Sequence, residues 1–513
     1  MNATQSAATK PKRSAASRRQ SAESAELLDM DQAIAILKTT RPTFYRWLRA
    51  GKVKGMKVGR QWRFRREDLE RFLDGQPPKV DLPAPIQPLI DALKERLVRS
   101  GTAVPKRRNG DDVEYAVKLM ITLARAMRAA DIHITSHTTS TPKAAEGHLR
   151  LRIDGVLHDL CVIDRRLMPA LVECWKRLAG CDVHETQRPQ DGRIIFEPDD
   201  ADMPTPSSGL DVRVCFLPAG LGEEVTARLL DATSVRIDLD RMDYAPDDRA
   251  RLDAALQLPW GMMIVCGPAG SGKTTSLYAC LNRLARPELK LATIEDPIEF
   301  YLPWVSQVPV RHAVGVDFAA ALRSIMRSDP DVIMVGEIRD GKTAVVAHQA
   351  ALAGHFVLTT LHTADAAAAL RRMVEIGVDP FVVADAVKLV LAQRLVRTLC
   401  PHCAKACEPG AKELARAEQI TREGGLDWDA LPDEFKRAVG CDKCGQTGYR
   451  GRTVIAETLR VTPHTAAALR DGADADTLHA LAVEEGMTTL GADAMRRAAL
   501  GETSLDEALR VAG

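Results

Sequence analysis

The sequence predicts a multidomain α/β protein, and three observations predict it. The apolar strand Met262–Cys266 runs straight into the glycine-rich stretch from Gly267 to Thr275, after which the pattern turns helical. Two more apolar runs, Leu291–Ile294 and Val332–Val335, end on acidic residues, as strands of an open parallel sheet do at a site. Downstream, two Cys-x-x-Cys pairs share one stretch of chain. At about 150 residues per domain, 513 residues make three to four domains. With 45% hydrophobic and 27% charged residues, collagenous, disulfide-scaffold and wholly disordered readings are excluded. The most apolar stretch, Phe381 to Val396, carries Asp385, Lys388 and Arg394, so no membrane span is expected and any membrane role is peripheral. Eleven cysteines, only four of them in tight pairs, suit a reducing cytoplasm with one metal site. The net charge of +1 hides an asymmetry: residues 1–80 hold 18 Lys/Arg against 8 Asp/Glu, leaving 52 against 61 elsewhere. An anionic partner is expected for that end alone.

Residues 1–25 read as a disordered basic tail, too polar to offset the entropy of ordering. An Arg- and Ser-rich, acid-poor start also fits an organellar transit peptide. Over 26–75 the pattern is helix from Glu26, turn at Lys38–Thr40, helix from Pro42 at its N1 position to Leu48, and Gly51 closing it. A hairpin over Val53–Phe64 turning at Gly59 and a helix Arg66–Leu73 follow. This order resembles the excisionase/MerR-type winged helix-turn-helix. A helix carrying Arg41, Thr43, Tyr45, Arg46 and Arg49 would lie in a DNA major groove while Lys57, Arg60, Arg63 and Arg65 hold phosphates. The bland alternative is a solvated basic face on a protein-docking module. Residues 76–111, with Pro77, Pro78, Pro83, Pro85 and Pro88, read as a semi-rigid spacer and helix. Residues 112–235 read as a small α+β domain: a helix over Tyr115–Arg128, then alternating strands, with a hairpin signal at Asp154-Gly155 and a mobile loop from Pro198 to Ser208.

The chemistry lies in 236–398. Gly267, Pro268, Ala269, Gly270, Ser271, Gly272, Lys273, Thr274 and Thr275 form a complete Walker A loop. Its glycines let backbone amides wrap the phosphates of ATP, Lys273 reaches the β and γ oxygens, and the Thr274 hydroxyl ligates magnesium. Glu337 follows the run Val332–Val335 whereas Asp331 precedes it, which makes Glu337 the Walker B carboxylate on the water shell of the magnesium. Cys400, Cys403, Cys441 and Cys444 can close a tetrahedral zinc site in a subdomain spanning 399–452, ahead of a helical region over 453–513. Cys407 is left over, and His402 and His348 read as surface or packing histidines.

Thr293-Ile-Glu295-Asp296-Pro297-Ile-Glu299, Ser328 to Asp340, and Gly354 to Thr363 resemble the Asp box, Walker B and His box of the type II secretion and type IV pilus assembly ATPases, over residues 112 to 513. The resemblance implies a RecA-like P-loop core and a homo-hexamer working at an inner-membrane platform. It implies Glu299 as the general base on water with Asp296 beside it, and His355 and His362 coupling nucleotide state to motion. It implies Arg213 and Arg228 of the small domain, and Arg323, Arg327 and Arg339 of the motor, as candidate cations on the γ-phosphate. By the same resemblance the tetracysteine belongs to assembly rather than retraction ATPases. One departure is the winged helix, which stands where these ATPases carry a platform-docking domain. The expected function is thus a cytoplasmic ATP-driven assembly motor, with a DNA-binding regulator and a DNA-translocating ATPase as rivals.

Overall fold

The computed structural model describes residues 27–75, 82–107, 111–138, 145–196, 210–230 and 238–512. The basic tail, Pro77, Pro78 and the loop from Pro198 to Ser208 lie outside them. The chain divides into two compact units, Met1–Leu230 and Asp231–Gly513.

In the first unit the winged module opens with a difference from expectation. Leu27–Leu28 is a short strand paired with Phe64 and Arg65, and the first helix begins only at Met30, capped by Asp29. The Asp29 carboxylate accepts from the Gln32 amide while the Gln32 side chain caps Asp29 N–H, a reciprocal box that fixes the start. The second helix is Arg41–Arg49, one residue longer at its start than the sequence suggested, so Pro42 is not its first residue. The wing strands Met56–Val58 and Gln61–Arg65 pair antiparallel about Gly59, whose φ of +62° only glycine adopts freely. Phe44 meets Phe64 edge to face at 5.1 Å in the module's core.

In the segment expected to be a spacer and helix, the helix is packed into the core. Leu89, Ile90, Leu93 and Leu97 of Gln87–Arg99 are buried in one core with helix Asp112–Ala126 and the sheet. That sheet is six-stranded and antiparallel, in the order Val156–Ile163, Glu146–Ile153, Ala129–His137, Gly222–Leu230, Leu210–Ala219, Gln190–Phe196. Fully buried Lys176 on helix Met168–Ala179 pairs with Glu223 and donates to Glu185 O at 2.6 Å. Gln190 clasps the same loop through Asp182 and Glu185. The loop so braced carries the winged module: Val183 N–H donates to Arg49 O at 3.1 Å, and Trp62 lies 4.7 Å from the His184 ring.

The second unit is built on a seven-stranded sheet ordered Val305–Pro309, Leu291–Glu295, Val332–Val335, Phe356–Leu361, Gly261–Cys266, Val387–Leu399, Tyr449–Arg460. The first six strands are parallel and the last is antiparallel to its neighbour. Being buried on both faces, the central strands read as continuous apolar runs. Helices 463–470, 475–484, 490–499 and 505–512 complete one side of the core.

Candidate active site

Six parallel strands put their C-terminal ends along one edge, and the glycine-rich loop leaves the strand Gly261–Cys266 there. Gly267, Gly270 and Gly272 have φ of +144°, +78° and +88°, so the loop turns as a phosphate cradle must. A Cβ on Gly267 would stand 2.3 Å from Gln393 O, which makes the close approach obligatory. Lys273 opens the helix Lys273–Leu284 and folds back, donating to Gly267 O at 2.8 Å and Pro268 O at 3.0 Å. Burial lowers its pKa below the ordinary lysine range, against the pull of Cys266 and Glu337. The Ser271 hydroxyl is buried without a hydrogen-bond partner among the described residues. A loop of donors and one ammonium resting on the loop's own carbonyls fits the triphosphate of ATP.

Three motifs meet beside it. His362, just past the strand Phe356–Leu361, places Nδ1 3.3 Å from Lys273 Nζ and Nε2 3.6 Å from a Glu337 oxygen. Glu337, largely buried, is also gripped by Arg339 at 2.6 Å. Thr274 is exposed at the helix start, so Thr274 and Glu337 are the residues that fit magnesium. Asp296 and Glu299 follow the strand Leu291–Glu295 on the same sheet edge, with Asp296 3.8 Å from His312.

His355 stands apart from this cluster. It immediately precedes the strand Phe356–Leu361 that His362 follows, its carbonyl accepts from Gly261 N–H, and its Nδ1 lies 2.7 Å from Pro330 O. A six-residue strand is about 20 Å long, so His355 sits at the opposite edge of the sheet from the phosphate loop. Arg323 and Arg327 are exposed on and after helix Phe318–Ile325, with Arg327 capping Arg323 O at 2.9 Å. Arg213 and Arg228 face each other across strands of the first unit, and Arg228 pairs with Asp131 at 2.8 Å.

Sequence reasoning missed the buried polar residues under these motifs. Glu295 accepts from Tyr278 OH, from Thr293 Oγ1 at 2.5 Å and from Gln307 Nε2 at 2.9 Å. Gln307 in turn holds Phe300 O and Leu302 N–H, so Glu295 braces the segment bearing Glu299 against the helix that follows the phosphate loop. Gln393, a fully buried amide in the strand Val387–Leu399, was the visible signal for another such brace.

The four paired cysteines converge as expected, with all Sγ atoms within 4.8 Å. Sulfur separations of 3.9 Å for Cys400–Cys441, 3.8 Å for Cys403–Cys444 and 3.7 Å for Cys441–Cys444 match the edge of a tetrahedron with Zn–S of ~2.3 Å, about 3.8 Å. Burial raises the Cys444 thiol, but amides of Cys441 and Gly448 aimed at its sulfur outweigh that and favour the thiolate. The set fits zinc. Cys407 takes no part, His402 is exposed, and His348 is a fully buried packing residue bonded to Ala344 O.

On the winged module, Tyr45, Arg46, Lys57, Arg60 and Arg65 are exposed. Arg41 pairs with Asp31 at 2.9 Å, Thr43 bonds Thr40, Arg63 bonds Gln61, and Arg49 lies 3.8 Å from Asp182.

Comparison with known proteins follows the same lines. Residues 107–510 match the family described as Type II/IV secretion system protein. The chain belongs to that family. Residues 27–77 match a helix-turn-helix domain. Among relatives, the type II secretion system protein HxcR of Pseudomonas aeruginosa is 41% identical, over 86% of this chain and 82% of that one. The type IV pilus assembly ATPase PilB of Myxococcus xanthus is 35% identical, over 86% and 75%. The ATPase DotB of Legionella pneumophila shares the fold at a TM-score of 0.56 and 20% identity, covering 80% of this chain and 98% of that one. Among the described residues no helix is long and apolar enough to cross a membrane.

Proposed function

We propose that this family member hydrolyses MgATP and, as a hexamer peripheral to the inner membrane, drives assembly of a type II secretion pseudopilus or a type IV pilus. The observation that carries the reading is the convergence of Lys273, His362 and Glu337 beside the phosphate loop, on the sheet edge that also bears Asp296 and Glu299. When bound, magnesium neutralises charge on the phosphates and orients them for in-line attack. Lys273 exchanges its carbonyl partners for phosphate oxygens. Glu337 and Thr274 hold the metal and its water, while Glu299 takes the proton of the attacking water. Arg339, beside Glu337 on this edge, is the cation that would meet charge in the transition state. Zinc in the tetracysteine supplies structure, and relatives named for pilus assembly and secretion favour that direction of work over retraction. Phosphate release by the purified chain with MgATP tests the reading, and no release from well-folded hexamer would end it.

A second reading concerns the winged module alone. The exposed cations Arg46, Lys57 and Arg60, with Arg65 and Tyr45, lie outside the contacts with the loop at Asp182–His184 and suit duplex DNA. Anisotropy of a labelled duplex against the full chain across a salt series tests it. Binding with a steep salt slope supports DNA, and none at physiological salt makes the module a protein adaptor.

A further inference from the structure

The floor of the phosphate loop is a hydrogen-bonded relay that no motif accounts for. Gln393 is fully buried beneath the loop. Its Nε2 donates to Ser271 O at 2.7 Å, and its Oε1 accepts from Ser276 Oγ at 2.6 Å and from Tyr244 OH at 3.1 Å. Tyr244 OH also lies 2.8 Å from Ser276 Oγ, whose other neighbour is Gly272 O at 3.2 Å. Backbone fit is as tight: Gln393 O crowds Gly267, and a Cβ on Gly272 would approach Gln393 Nε2 to 3.1 Å. The amide side chain therefore holds the Ser271 end of the loop, each of its polar atoms having a partner, while the backbone carbonyl of the same residue packs against Gly267.

Tyr244 extends the relay to the first described segment of the second unit. That segment is pinned again at Asp243, whose carboxylate receives Arg497 at 2.6 Å and the Thr453 hydroxyl at 3.1 Å. Asp243 has a φ of +53°, a conformation a non-glycine residue holds only where its surroundings impose it. The two neighbouring residues thus grip in two directions, the phosphate loop through Tyr244 and the C-terminal helices through Asp243.

We infer that Tyr244 and Gln393 are positioning residues for nucleotide binding, tying the segment that leads into the motor to the carbonyl of Ser271 in the phosphate loop. Neither touches phosphate. They act by holding Ser271–Gly272 so that the loop amides are already aimed when MgATP arrives, which lowers the ordering cost of binding. The inference rests on the ATPase reading above.

Steady-state hydrolysis and binding of MgATP by the full chain test it, with apo thermal stability recorded for each variant. Tyr244→Phe removes one hydroxyl from the relay and should raise KM and Kd for MgATP about threefold to tenfold while kcat changes less than twofold. Gln393→Met should raise them further, and adding Tyr244→Phe to it should then cost little more, because the hydroxyl acts through the amide. A lower apo Tm with unchanged KM and Kd in Tyr244→Phe, or full additivity in the double variant, would overturn the relay. Wild-type chain that binds no MgATP would instead sink the ATPase reading, and the relay with it.

Discussion

Lys273 rests on the carbonyls of Gly267 and Pro268, so nucleotide binding must exchange neutral oxygens for charged ones. Lys273→Ala should therefore abolish ATP binding or turnover, seen in equilibrium binding and phosphate release. Glu299→Gln should keep nucleotide but slow hydrolysis by a hundredfold or so, since a general base contributes about 10²–10⁴. Near-wild-type turnover of that variant would remove Glu299 from the mechanism. Lys273 was legible because glycines beside a lysine form a spacing whose chemistry is local, whereas the role of Glu299 rests on the resemblance carried by Thr293–Glu299. Glu295 and Gln393 were not legible in role. A polar residue inside an apolar run announces that it needs partners, but those of Gln393 lie 117 and 122 residues away in sequence and only folding brings them together. His355 and His362 stand near each other in sequence, yet they flank opposite ends of one strand, which holds them apart.

Among the elements, the helix Pro246–Leu256 and the strand Tyr449–Arg460 meet through a titratable contact. Asp248 is buried, accepts from Thr458 Oγ1 at 2.6 Å, and its other oxygen has no hydrogen bond among the described residues. Burial above all, aided by nearby Asp493, pushes its pKa up to about 7. The folded form thus binds this proton more tightly than the unfolded form, whose carboxyl titrates near 4. The group's contribution to stability is fully present below pH ~4 and is lost as pH rises to about 7, by at most about 4 kcal/mol. Asp248→Asn should flatten that part of the Tm profile between pH ~4 and about 7, and an unchanged slope there would contradict it. The strands were legible from their apolar runs. The helix Gln87–Arg99 was only half legible, because its prolines suggested a spacer while its Leu89, Ile90, Leu93 and Leu97 carry the 3–4 spacing of a buried face. The tetracysteine region also packs into the core. Ala417 and Phe435 between the cysteine pairs lie in the motor's core, so the segment does not depend on metal alone. One zinc per chain is expected, lost in Cys441→Ser with Cys444→Ser, and metal analysis finding none in wild type would refute it.

At the scale of the whole molecule, the winged module is not a free appendage of its unit. Arg49, Gly51 and Trp62 meet the loop Asp182–His184, which Lys176 and Gln190 hold in place. If DNA is its partner, Arg63→Glu with Arg65→Glu should weaken all sequences alike and flatten the salt slope by about 0.9 per lost phosphate contact, whereas changing Arg46 should relax preference among sequences. Salt-independent binding would exclude the phosphate contacts. In the other unit, Leu399 pairs with Tyr449, and Cys400 N–H bonds Gly448 O, so the cysteines stand at the neck where two neighbouring strands part and rejoin. Joining those strands closes a loop of about fifty residues, at a cost near 3 kcal/mol for its length alone. A metal captured at the neck has already met that cost, so the two strands find each other as near neighbours rather than distant ones. If zinc fills the four cysteines, it takes part in the order of events by which the sheet is made: withholding it during refolding should slow the last strand's arrival far more than removing it afterwards loosens the finished motor.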